Sequence, residues 1–159
     1  MTPRKNFESS TDLKNETRAL EDLGVGDKYD FCKLPISYRL DFAMIRKRPG
    51  GQWFGANILA FVEVKCRKGN STDRDEFSIS ALKITHGLLL ARATDKPFLL
   101  VIKWDDETLI CNVGQVDWRV QMGGRVKTRR DGADVEPMMT CTIEDSLITP
   151  KSFFSRRTK

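Results

Sequence analysis

Phe98-Leu99-Leu100-Val101-Ile102, five apolar residues without interruption directly after Pro97, constrain this chain more than any other feature. A strand with one wet face alternates apolar with polar residues. An unbroken apolar run suits a strand covered on both faces, the kind found inside parallel or mixed sheets with helices above and below. The preceding stretch, residues 76–93, is helical in composition and apolar on more than one side, which predicts a buried helix. Upstream again, residues 56–64 form a second apolar, β-rich run, and a polar loop at 68–74 with Asn70, Ser71 and Thr72 as breakers separates the two. Strand, helix, strand predicts a right-handed parallel crossover. The expected fold class is therefore α/β, with a central mixed β-sheet flanked by helices.

The flanking segments extend this frame. Ser10 or Thr11 can cap a helix reaching about residue 23, with Leu13, Ala19, Leu20 and Leu23 as its apolar stripe and Gly24 as its stop. Residues 29–34 give a short extended run, Pro35 interrupts it, and 38–45 alternates as a strand. The turn signal Arg48-Pro49-Gly50-Gly51-Gln52 then predicts that 38–45 and 56–64 form an antiparallel hairpin. Beyond the central run, residues 108–113, 116–122 and 138–143 read as additional C-terminal strands, with turns at Gly123-Gly124 and Asp131-Gly132.

A chain of 159 residues fits one ordinary domain that folds without metal or disulfide staples. No window approaches 18 uninterrupted apolar residues, and no apolar segment follows Arg4 and Lys5, so the expectation is a cytoplasmic protein with no membrane partner. Cys32, Cys66, Cys111 and Cys141 are scattered without C-x-x-C spacing, and His86 stands alone, which argues against zinc and for buried reduced thiols. The net charge of +5 is gathered in Arg46-Lys47-Arg48, in Lys65 with Arg67 and Lys68, and in Arg125, Lys127, Arg129 and Arg130, a distribution suited to a polyanion. The last of these lies between two predicted strands, where it is either a loop that straddles phosphates or an exposed charged turn. Residues 147–159 contain Lys151, Arg156, Arg157 and Lys159 without an acid and read as a basic tail, either solubilising or phosphate-binding.

Two places break the apolar pattern. Glu63 and Lys65, two apart at the end of the 56–64 run, must share one face of the strand, while Val62 and Val64 point to the other. Burying such charges is costly unless they are paired or bound to a metal. Asp41 similarly interrupts Leu40, Phe42, Ala43, Met44 and Ile45 on the other arm of the hairpin, and antiparallel pairing would bring it beside Glu63. Two converging carboxylates with an ammonium one pleat away make a site for a hard divalent cation such as magnesium, Mg2+. Phosphodiester hydrolysis needs this set: Asp41 and Glu63 as metal ligands, Lys65 to orient the water and offset the charge growing on the phosphate. A structural ion pair of Glu63 with Lys65 is the alternative.

Asp41 followed by Glu63-Val64-Lys65 resembles the PD-(D/E)XK nuclease superfamily, which has the restriction-endonuclease-like core order α-β-β-β-α-β. The resemblance covers about residues 10–104 of a single nuclease domain spanning 1–159, leaving 105–146 as C-terminal β elaboration before the tail. Leu40 stands where the name-giving Pro would be, a common replacement. Asp12-Leu13-Lys14 fits the same triplet but lacks the apolar strand and the partner acid. The resemblance implies a Mg2+-dependent DNA endonuclease, with manganese (Mn2+) able to substitute, acting on branched DNA in the manner of a Holliday-junction resolvase and as a homodimer. It further implies an acid on the first helix, for which Glu16 is the catalytic candidate although Glu21 looks alike, with a solvated helix residue as the alternative. It implies a polar residue on the helix after the triplet, where Ser80 and Lys83 share a face; Lys83 is the candidate nucleic-acid contact, or else snorkels at the core edge. His86 reads as a hydrogen-bonded core or edge histidine, and Trp53 and Trp104 as core or rim residues. A non-catalytic nucleic-acid-binding module on the same fold is the alternative function.

Overall fold

The structure is a computed structural model that describes residues 9–47, 58–123 and 135–155. Helix α1 (Ser10–Glu21) starts at a capping box: the Ser9 hydroxyl accepts the Asp12 N–H at 3.1 Å, and the Asp12 carboxylate accepts the Ser9 N–H at 3.0 Å. The cap is therefore Ser9, one residue ahead of the expected Ser10 or Thr11. Gly24, at φ +65°, takes the left-handed turn that ends the segment.

Strands β1 (Tyr29–Lys33), β2 (Phe42–Arg46) and β3 (Ile58–Cys66) follow. The predicted hairpin forms between β2 and β3, but its first arm is shorter than 38–45, because residues 36–38 coil into a 3₁₀ turn and Arg39 sits in the left-handed region at φ 57°. The second arm runs on to Cys66 and so takes in Glu63 and Lys65.

Residues 76–93 are not one helix. They divide into β4 (Glu76–Ser80) and α2 (Ala81–Thr94). Phe77 and Ile79 alternate with Ser78 and Ser80, and this period of two lets the first five residues bury both apolar side chains while pairing with β8 (Glu136–Thr142). Strand β5 (Phe98–Lys103) then returns parallel to β3, as the apolar run predicts, and β6 (Thr108–Asn112) pairs antiparallel with β5. The main sheet is mixed, in the order β1-β2-β3-β5-β6; β7 (Arg119–Gly123) joins β4 and β8 in a second, antiparallel sheet of order β4-β8-β7. Of the region read as extra strands, β6 extends the main sheet, residues 113–115 are a 3₁₀ turn, and β7 begins at Arg119.

The core divides by the two faces of the main sheet. On one, Phe61, Leu100 and Ile102 pack with Phe77, Ile84 and Trp104; on the other, Val62, Val64, Leu99 and Val101 pack with Ala19, Leu20 and Phe153. Helix α2 lies so close to β5 that a Cβ on Gly87 would stand 2.2 Å from the Phe98 ring, so only glycine fits there. After α3 (Ile143–Ser146), part of the expected tail forms α4 (Pro150–Ser155), which buries Phe153 and sets Phe154 against Tyr29 with ring centroids 6.2 Å apart. Trp104 belongs to the core, whereas Trp53 lies outside the described residues. Cys111 and Cys141 are buried as expected, Cys32 is half-buried, and Cys66 is exposed. Among the described residues no helix is long and apolar enough to cross a membrane.

Candidate active site

The last β2–β3 pair is Phe42 with Val62, so β3 runs past the start of β2 and loses its neighbour on that side at Glu63. Asp41 stands in the gap. Its Oδ2 accepts the Val64 N–H at 2.8 Å, replacing the strand carbonyl that would otherwise do so, and its own carbonyl accepts the Leu34 N–H at 2.9 Å. One carboxylate oxygen is thus committed to the sheet, and Oδ1 is left to face the cleft.

Glu63 is fully buried, yet every oxygen of its carboxylate has a partner. Lys65 Nζ donates to Oε1 at 2.5 Å and to the Val64 carbonyl at 3.2 Å; Lys83 Nζ, from the first turn of α2, donates to Oε2 at 3.0 Å and lies 3.9 Å from Asp41 Oδ1. Burial pushes the Glu63 carboxyl above the ordinary carboxylate range, the nearby Asp41 charge adds to this, and the two ammonium groups oppose it. The pleat puts Glu63 and Lys65 on the α2 side of the sheet, which is why a lysine on α2 reaches them. Asp41 and Lys83 carry the cluster to a cleft of about 770 Å³, which Glu16, Lys33, Arg39 and His86 also line, while Glu63 lies buried behind them.

The sequence matches the family model described as "Phage putative PDDEXK endonuclease" over residues 2–147. This chain belongs to that endonuclease family. The structure of Hjc, a Holliday junction resolvase from the archaeal hyperthermophile Archaeoglobus fulgidus, is similar at a TM-score of 0.53, covering 89% of this chain and 96% of that one at 14% identity. At that identity the likeness establishes a shared nuclease-like fold. No curated protein matches the chain.

In this PDDEXK endonuclease, Asp41, Glu63, Lys65 and Lys83 are brought together; the Lys83 ammonium pairs with both carboxylates while its side chain, a third exposed, lines the cleft. Glu16 lines the same cleft as Asp41 and Lys83 and accepts a hydrogen bond from Lys33 at 2.8 Å. Glu21 opens on a different hollow with Gly26 and Tyr29, so the structure separates two acids that the sequence leaves equivalent. Ser80 precedes α2 rather than lying within it and also lines the cleft. His86 is a half-buried edge residue whose Nδ1 is 2.8 Å from the Leu82 carbonyl. Arg125, Lys127, Arg129 and Arg130 lie outside the described residues. Lys33, Arg39 and Glu136 also reach the cleft without having been singled out. Glu136 arrives on β8 from far along the chain and carries no local signal.

PD-(D/E)XK nucleases generally use divalent metal ions. The residues here fit one: Asp41 Oδ1 and Glu63 Oε2 are hard oxygen donors that already converge on a cation, the Lys83 ammonium. Among the described residues no group of three or more acids, histidines or cysteines gathers, so backbone oxygen, water or substrate oxygen would complete the shell.

Proposed function

We propose that this PDDEXK endonuclease hydrolyses DNA phosphodiester bonds with Mg2+ held by Asp41 and Glu63, and that its substrate is branched DNA, cut in the manner of a Holliday-junction resolvase. The observation that carries the reading is the convergence of Asp41 Oδ1 and Glu63 Oε2 on one cation position, with Lys65 fixed on the other oxygen of Glu63. When bound, the metal supplies charge neutralisation and a more acidic water. Lys65 is held at one height by Glu63 and the Val64 carbonyl, so its ammonium can orient the attacking water and offset charge on the phosphate oxygens. Asp41 is held rigid by the Val64 N–H, which fixes the donor without any need for reorganisation. Glu16 extends the acidic wall of the cleft as a further catalytic group, and Arg125, Lys127, Arg129 and Arg130 serve as phosphate contacts. Symmetrical cutting of a junction requires two such sites, hence a homodimer. Mn2+ would substitute for Mg2+.

The test is cleavage of a labelled panel (duplex, single strand, flap, four-way junction and their RNA counterparts) with Mg2+ or with EDTA, comparing wild type with Lys65→Ala. Metal-dependent cutting that prefers the junction and falls about 10²- to 10⁴-fold in the variant is the expected result. Binding without cutting, equal in both proteins, would establish the non-catalytic binding module instead.

A further inference from the structure

The charge balance of the site changes when a metal enters. Asp41 and Glu63 carry two negative charges and Lys65 and Lys83 two positive ones, so the quartet is neutral as it stands. A divalent cation between the carboxylates would leave two surplus positive charges around a fully buried Glu63, with the ion and one ammonium competing for the same oxygens. One lysine has to yield, and the geometry distinguishes them. Lys65 sits on the same strand as Glu63, two residues on, and has a second acceptor in the Val64 carbonyl. Lys83 comes from another element, its partners among the described residues are the two carboxylates alone, and a third of its side chain is open to the cleft. Its four-carbon stem can swing without moving α2.

We propose that Lys83 is a placeholder for the metal: its ammonium holds the Asp41–Glu63 pair together while no ion is bound, and a divalent cation must evict it. This rests on the reading of Asp41 and Glu63 as metal ligands. The evicted ammonium enters the cleft, where the phosphate of a nucleic-acid strand would receive it, so metal loading and the arming of a phosphate contact are one event.

The test is calorimetric titration of Mn2+ and Mg2+ into the whole chain without DNA, together with thermal melting, for wild type, Lys83→Met, Lys83→Gln, Lys83→Arg and Lys33→Met. Removing a competitor that makes a charged hydrogen bond should tighten metal binding about tenfold to a hundredfold in Lys83→Met and Lys83→Gln. Lys83→Arg should stay near wild type. Lys33→Met removes one charge from the same cleft wall, where that ammonium pairs with Glu16, and should move the affinity by less than about threefold. Without metal, Lys83→Met should melt below wild type; at saturating metal the gap should close, since the ion replaces the missing ammonium. A purely structural lysine would leave the gap open. Unchanged or weaker binding in both neutral variants, a melting deficit that survives saturation, or an equal gain in Lys33→Met would each overturn the placeholder while leaving the metal site standing. If no variant and no wild type binds either ion, the placeholder and the proposed function fall together.

Discussion

Strands β3 and β5 lie side by side in parallel, with Glu63 opposite Leu100 and Lys65 opposite Ile102, yet one is charged where the other is apolar. Glu63 and Leu100 are both fully buried, so depth does not explain the difference. Neighbours do. Leu100 has a strand on each side, β3 and β6, and side chains packed over it. Glu63 stands where β2 has ended, and on that side it meets the Asp41 carboxylate and two lysine side chains instead of backbone. A sheet tolerates charge in its interior where one strand outruns its neighbour, because only there can the charge find partners and a way to solvent. The position proposed to be reactive is the place where the ladder stops.

Exchanging the two positions breaks the comparison most severely. Leu100→Glu places a further carboxylate beside Glu63, whose two lysines are already engaged, and a buried charge without a cation of its own should cost about 3–5 kcal/mol, enough to leave little folded protein by circular dichroism. The reverse change, Glu63→Leu, should be far milder for the fold, since Lys65 and Lys83 are each partly exposed and can turn to water. It should lower the melting temperature by no more than a few degrees while reducing cleavage about 10³-fold, measured on the junction substrate. If Glu63→Leu unfolds the protein, the carboxylate is structural and the contrast between the strands has been misread. Gly87→Ala sharpens the other side of the comparison, because it thickens α2 where it lies on Phe98 at the start of β5. Overpacking there should cost about 1–3 kcal/mol in a denaturant titration, a direct measure of how tightly β5 is covered.

Much of this was legible in the chain. The run Phe98 to Ile102 announced a doubly covered strand, and Asp41, Glu63 and Lys65 stood out because each broke an apolar pattern that had no local reason to break. What escaped was set by tertiary contact. Phe77-Ser78-Ile79-Ser80 carries a strand's alternation, but four residues flowing into a good helix cannot declare their own state; only pairing with β8 does so. Ser9 and Asp12 were a readable capping box one step ahead of the expected cap. Glu16 and Glu21 sit five apart on one helix and so point to different sides, yet which side turns to Lys33 depends on how α1 is laid on the sheet. The basic C-terminal segment hid Phe153 and Phe154, whose rings dock the last helix against the main sheet.

Asp41 gives one oxygen to the seam of the sheet and turns the other toward the cleft. Natural variation therefore meets an unusual choice at this position. On the proposed function, alanine would open the seam and remove the metal ligand together, and glutamate, one methylene longer, would misplace both oxygens. Asparagine alone can go on accepting the Val64 N–H while offering an amide in place of the second oxygen. On the proposed function, a copy that folds like its parent and cuts nothing would lie a single such exchange away, a short road from enzyme to scaffold.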